Sequence, residues 1–321
     1  MPATSLRVVQ LGKETTWGTA VAATAKLMGV KDASLSPVAE KAAIPDLGSL
    51  APSMREVQTA VSAKGHIELE ASYQDILYLL HGVFGAVTPT GTAAPYTWTY
   101  SAPLTSAPTP QIYTMEYGEA NSSYKGIGMF ATNLAVKIEA KKTWSAACDL
   151  LGKSVNTVTL ASLSDRTVEV IRAADTHLYM DTWSGTMGST EITATLISAA
   201  LDVDTKRHLK DFVSGAVTPS TYGEDRWDGK LVLVLEFNSS AKAIVDALLA
   251  PALIQRQIRL KATSGTSYAQ VDFCGTLDKG LELFGDRDGN MTVELTFTGT
   301  YNSTFANWLK IIVANDVATL T

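Results

Sequence analysis

Short runs in which apolar and polar residues alternate recur along the whole chain, cut by Gly, Asn, Asp and Pro. Alternation of period two puts one set of side chains on each face of a strand. The clearest runs predict strands over 66–71, 127–130, 134–140, 146–151, 231–237, 257–262, 269–273, 280–284 and 291–298. Helical spacing is rarer. Residues 73–84 set Ile76, Leu77, Leu80 and Phe84 on one face, with Ser72 as N-cap. Residues 240–253 do the same with Ile244, Val245, Leu248 and Leu249, capped by Asn238 or Ser239 and limited by Pro251. A third helix is expected over 304–317, with Phe305, Trp308, Leu309 and Ile312 as its stripe.

Both clearer helices follow a strand that ends in Glu, and this points to an internal repeat. Ile67-Glu68-Leu69-Glu70 aligns with Leu233-Val234-Leu235-Glu236, and the same offset pairs Leu35 with Leu201. Further on, Tyr124 aligns with Tyr268, and Leu134 and Ile138 with Leu277 and Leu281. The change of offset falls at a Pro- and Thr-rich insertion, 87–110, expected to be loop-like with a short hairpin around Tyr96–Tyr100. The predicted order in each half is strand, long polar segment, strand, helix and four strands. The chain reads as a duplicated, mainly β domain with one flanking helix per copy. The expected units are 1–156, 157–301 and a helical tail, 302–321.

The long polar segments, 38–63 and 204–228, are read as loops. Structureless stretches of that length are uncommon in compact domains and usually functional. They carry Ile44, Leu47, Leu50 and Met54 in the first half and Phe212 and Val213 in the second. Such residues are expected to order against a neighbour.

Composition narrows the function. The 26 Lys and Arg against 32 Asp and Glu leave a net charge of −6, which gives no bulk attraction for DNA or an anionic membrane. No apolar run is long enough to span a bilayer, and the first residues do not read as a signal peptide, so folding in a cytoplasm is expected. Cys148 and Cys274 lie among apolar or small residues and read as buried thiols.

Catalytic constellations are not found. His66, His81, His177 and His208 have no zinc spacing and read as surface or rim residues. Asp286-Arg287-Asp288-Gly289-Asn290 departs from a calcium loop in its Gly position and has Phe297 where the bidentate Glu belongs; it reads as a hairpin turn. Glu68, Glu70, Glu139, Glu282 and Glu294 can in principle form hydrolase pairs, but on alternating strands they read as a solvated face. Phosphate-binding, dinucleotide and nucleophile-elbow motifs do not occur, and neither do basic patches interleaved with aromatics.

The opening LGKETTWGTA, 11–20, resembles the start of major tail proteins of long, non-contractile-tailed phages. Gly12, Glu14, Thr15, Gly18 and Thr19 carry the match, with Trp17 in the aromatic slot. The strand and helix of 64–85 and the closing WSAACDLLGK, 144–153, are similar to the same family. The resemblance implies a tube domain built as a β-sandwich with a flanking helix and no catalytic residue or cofactor. Six such domains form a ring whose inner strands close into a β-barrel. Rings stack through long loops into the tube that conducts DNA at ejection, in a virion tail assembled in the host cytoplasm. A tape measure protein and a tail terminator are implied partners. Two domains per chain predict a trimeric, pseudo-hexameric ring; a second half serving as decoration would predict a hexamer. His66, Glu68, Glu70, Lys137 and Glu139 are the expected lumen-facing residues, and Trp17 an N-terminal anchor. The rival readings are a tail-tip or adhesin-like module that binds carbohydrate through Tyr96, Trp98 and Tyr100, and a carboxylate hydrolase.

Overall fold

The computed structural model describes residues 4–53, 55–193, 195–213, 216–248, 253–278, 284–287 and 289–320. The first half runs β1 (Val8–Glu14), β2 (Ala25–Lys26), β3 (Val30–Ile44), β4 (Arg55–Glu70), α1 (Ile76–Phe84), β5 (Tyr96–Ser101), β6 (Ile112–Glu119), β7 (Ser122–Ala131), β8 (Asn133–Glu139), β9 (Ser145–Gly152) and β10 (Ser154–Thr157). The second runs β11 (Thr176–Thr182), β12 (Glu191–Ile192), β13 (Leu196–Asp204), β14 (His208–Lys210), β15 (Thr221–Gly223), β16 (Asp228–Glu236), α2 (Ser239–Leu248), β17 (Gln255–Ser264), β18 (Ser267–Leu277), β19 (Gly285–Arg287), β20 (Asn290–Gly299) and β21 (Leu309–Asn315).

Every ladder is antiparallel, and the strands form two layers. The outer layer of the first half is ordered β2-β1-β6-β7-β10, and that of the second β12-β11-β17-β18-β21. The inner layer runs β3-β4-β9-β8 and continues without a break into β13-β16-β20-β19. In each half one outer strand also reaches the inner layer: the end of β7 pairs with β9, and the end of β18 with β20. Alternation explains the packing between layers. Ile67, Leu69, Val136, Cys148, Leu201, Leu233 and Leu295 all point between the sheets and are 3% exposed or less.

Helix α1 begins where Ser72 Oγ accepts the Asp75 N–H at 3.0 Å. The expected single apolar face is not what is found: all nine residues of α1 are buried. The insertion covers the helix. It is not a free loop, because β5 joins the second half by pairing with β21, and Trp98 and Tyr100 are 2% and 0% exposed. Their burial removes them as a glycan-binding surface. His81, expected at a rim, lies instead in the core, with its ring edge-on to Trp98 at 5.4 Å and Tyr100 at 5.6 Å. The C-terminal helix is also overturned, because β21 occupies this segment as a strand between β18 and β5. Its consecutive Ile311, Ile312 and Val313 are β-branched, and two partners supply its hydrogen bonds. Helix α2 starts at the expected cap, with Asn238 Oδ1 accepting the Ala241 N–H at 3.1 Å. Leu249, Pro251 and the strand expected over 280–284 fall wholly or mostly outside the described residues.

The opening stretch is pinned by Glu14, which is 5% exposed. Its carboxylate accepts hydrogen bonds from the Gly18 N–H, the Thr114 hydroxyl and the Gly128 N–H at 2.7–2.9 Å. Trp17 packs within its own chain: Nε1 donates to the Gly128 carbonyl at 3.0 Å, and Lys153 lies over the ring. Gly128 has φ +68°, and a Cβ there would meet Trp17 Nε1 at 2.9 Å. The halves are further tied by Arg207, whose buried guanidinium donates to the carbonyls of Gly82, Val83 and Ala131 and to Glu224. A cation is well placed at those carbonyls, two of which belong to the last turn of α1.

Two predictions follow from these buried groups. Glu14→Ala strands two backbone donors and a hydroxyl, and is expected to lower unfolding free energy by about 3 kcal/mol in denaturant titrations. Burial, followed by the charge of Lys13, lowers the His81 pKa to about 4. The unfolded chain therefore takes up this proton near pH 6.5 and the folded chain only near 4. His81 keeps its full contribution above pH 6.5, and stability falls as pH drops from 6.5 to 4, by up to about 3 kcal/mol. His81→Phe is expected to flatten the melting temperature against pH within that window.

Candidate functional site

The face of the inner sheet turned away from the core is uncovered, and side chains from seven strands meet on it. Cross-strand register sets the rows. Ser34, His66, Asp149, Asn133, Asp204 and Asp228 form one row. Asp32, Glu68, Ala147, Ala135, Asp202, Lys230 and Thr298 form the next. Glu70, Ser145, Lys137, Ala200, Val232 and Thr296 form a third, and Glu139, Ser198, Val234 and Glu294 a fourth. All five residues expected in the lumen, His66, Glu68, Glu70, Lys137 and Glu139, stand on this one face.

Carboxylates outnumber cations there, and several of the cations are engaged by them. Lys31 Nζ lies 3.4 Å from both Glu68 and Glu70, and Glu70 most of all raises the ammonium pKa. Lys206 bridges Asp204 and Asp228 at 2.6 and 3.2 Å. His66 Nδ1 sits 2.7 Å from Asp149, which also accepts from Asn133. The Lys142 ammonium, helped by Arg287, holds the Glu139 carboxyl below its usual range. Asp149, Asp202 and Asp204 belong to this surface although they were not expected there. The alternation of Cys148-Asp149-Leu150 and Leu201-Asp202-Val203-Asp204 already carries that signal. The second-half strand, apolar on both faces in sequence, buries Leu231, Leu233 and Leu235 and turns Val232 and Val234 to this side.

At one end of the same sheet two arms project. The first segment expected to be a loop is a long hairpin: β3 and β4 pair continuously from Val38↔Ser62 to Ile44↔Arg55, with one bulge. It was read as loop because its charges and Pro37 conceal the alternation. Beyond the sheet body both faces meet solvent, so no apolar period marks it. Leu47 and Leu50 at its tip are fully exposed, and Ile44 is 37% exposed. The second arm leaves β13, which runs in the same direction as β3, and contains the small β14–β15 hairpin. Phe212 and Val213 are exposed on it. Met54 and Glu282 lie outside the described residues. Among the described residues, no group of three or more His, Cys, Asp or Glu side chains is arranged to hold a metal ion.

The profile of the family described as phage tail tube protein matches residues 4–299. The chain belongs to this family. Comparison with curated protein sequences returned no match. A tail tube protein is a structural component of the phage tail and assembles with copies of itself, so the acidic face and the two arms are surfaces of a tube subunit.

Because Leu47 and Leu50 are fully exposed in the single chain, replacing both by Ser is expected to leave the melting temperature of dispersed subunits within about 1 °C, measured by scanning calorimetry.

Proposed function

We propose that the chain is a double tail tube subunit, that three copies close into a ring with six tube domains, and that stacked rings form the conduit for DNA ejection. The observation that carries this reading is the inner sheet. It is continuous through both halves, has its dry face against the outer layer, and ends in two strands with a partner on one side only. Among the described residues β3 pairs only with β4, and β19 only with β20. Unpaired edges of this kind are templates for another chain, and closing a ring removes them.

Duplication is supported by the ladders. Each pairing of the first half, β1–β2, β1–β6, β6–β7, β7–β9, β7–β10, β3–β4, β4–β9 and β8–β9, has a counterpart in the second. These are β11–β12, β11–β17, β17–β18, β18–β20, β18–β21, β13–β16, β16–β20 and β19–β20. Helices α1 and α2 follow corresponding strands, and β5 and β14–β15 are the additions. The inner sheet then holds eight strands per chain, and three chains bring 3 × 8 = 24 strands. At a spacing of ~4.8 Å and a tilt near 40°, such a barrel has a backbone diameter of about 48 Å.

On this reading the acidic face lines the lumen. Phosphates meet mostly carboxylates there, so DNA slides without being held, whereas a basic wall would retain it. The arms leave the barrel at one end and reach the next ring, where Leu47, Leu50, Phe212 and Val213 lose water. Negative-stain microscopy of purified protein tests the proposal. Rings or tubes with a central hole, in which mass measurement counts three chains per ring, are expected; dispersed monomers or six-chain rings would overturn it. The Leu47→Ser, Leu50→Ser variant is expected to give rings that fail to stack.

A further inference from the structure

The junction between β8 and β13 inside the chain has a counterpart at the chain's two open edges. The correspondence follows from register alone. In the first half Glu70 faces Ser145, and Ser145 faces Lys137; in the second, Glu236 faces Thr292, and Thr292 faces Gly285. Gly285 thus stands where Lys137 stands, Phe284 where Val136 stands, and Arg287 where Glu139 stands. On the other side, Ser34 faces His66, four residues before Glu70, and Ala200 faces Val232, four before Glu236. Ser34 therefore takes the place of Ala200, Leu35 that of Leu201, and Asp32 that of Ser198. Inside the chain Ala200 pairs with Lys137, Leu201 with Val136, and Ser198 with Glu139.

Resting on the ring reading above, the geometry points to a second copy of this chain as the partner of each open edge. Strand β19 of one copy pairs with β3 of the next, with Ser34 opposite Gly285 and Asp32 opposite Arg287.

Three observations favour this register. First, Val136 and Leu201 are 2% and 3% exposed at the internal junction, whereas at the open edges Leu35 is half-buried and Phe284, which packs on the Phe237 ring at 5.6 Å between centroids, is 64% exposed. Pairing the edges covers apolar surface of both. Second, it brings opposite charges together at Asp32 and Arg287. In the single chain Arg287 donates to Glu139 at 2.6 Å, with both side chains more than a third exposed, so re-pairing costs little. Third, the edge carries its own stop. Bonds from the Ala140 N–H to the Ile197 carbonyl and from the Thr205 N–H to the Thr132 carbonyl flank the internal ladder. With the strict alternation of an antiparallel ladder, they aim the N–H groups of Ala199, Leu201 and Val203 at β8. Pro37 stands in the place of Val203 and has no N–H, so the open edge of β3 lacks the donor that follows Leu35. The departures from the internal pattern are Asp286, in the place of Ile138, which accepts the Gly289 N–H and turns the chain there, and Phe284, whose φ of +70° takes it out of the extended ladder.

Ser198 and Glu139 form a non-hydrogen-bonded pair by the same alternation, which is the closest approach in an antiparallel ladder and suits a disulfide. Cys148 and Cys274 are both buried and free, so the background is low. Assembled rings of the Asp32→Cys, Arg287→Cys double variant, oxidised and run without reductant, are expected to give covalent dimers and trimers. Either single variant, and a Ser36→Cys, Arg287→Cys pair shifted by four residues, are expected to give monomers. Separately, Asp32→Arg and Arg287→Asp are each expected to reduce ring formation at least tenfold, and their combination to restore it. Rings that form without the cross-link, or cross-link equally in the shifted pair, overturn the register and leave the ring reading intact. Chains that stay dispersed by light scattering overturn both.

Discussion

The governing constraint is that a backbone N–H or C=O taken from water must be bonded. An open sheet cannot meet it at its two edges, and a strand shared between layers moves the problem without ending it. In this chain the outer layers end in short strands of two to six residues, β2 and β10 in the first half and β12 and β5 in the second. The inner sheet is treated differently. Its middle is sealed by the β8–β13 ladder, while among the described residues β3 and β19 have no partner strand on their far sides. Such an edge is either defended against other chains or used by them. Pro37 defends part of β3, and the remainder is short, polar on one face and apolar on the other. This selectivity fits a chosen partner better than indiscriminate pairing.

The same constraint explains why the halves do not hang as beads on a linker. Strand β5 leaves the first half to complete the second, and Trp98 Nε1 donates to the Val317 carbonyl from that position. The loop after β13 returns the link, because Arg207 fastens it to the end of α1. Breaking Arg207 from Glu224 would leave a buried charge, whereas breaking Lys31 from Glu68 and Glu70 at the open face would cost little. Rigidity is thus concentrated between the layers and across the seam, and the open face carries weak, exchangeable ion pairs.

Much of this was legible from alternation. Strands with one dry face, such as β8 and β9, announce themselves because every second residue is large and apolar. The family was legible in the opening segment, and the acidic face in Glu68, Glu70 and Glu139. Elements whose partners lie far along the chain were not. The stripe of Phe305, Trp308, Leu309 and Ile312 satisfies a helix as well as a strand, and β18 and β5 decide between them from outside the segment. Tyr96, Trp98 and Tyr100 read as exposed because nothing near them in sequence reveals the sheet that covers them. His81 was misplaced for the same reason: its shield is the insertion, not the helix. The arm of β3 and β4 lost its period because neither face is dry. In each case the missing information was tertiary, and local propensity was neutral or slightly misleading.

Duplication changes what selection can do with a ring. In a ring of identical single domains every junction is the same, and one edge must fit the other six times over. In a chain with two copies, the internal junction and the junction between chains are different sites. The internal one is held by covalent continuity, so it tolerates Ser198 beside Glu139 and gains nothing from charge. If the chain closes into the proposed ring, the outer one finds its partner by diffusion, and there the same positions hold Asp32 and Arg287. Opposite charges steer encounter and penalise wrong pairings more than they add affinity. On that reading Leu35 keeps the apolar character of Leu201, Asp286 does not keep that of Ile138, and the Ser198–Glu139 pair of the internal junction becomes an oppositely charged pair only between chains.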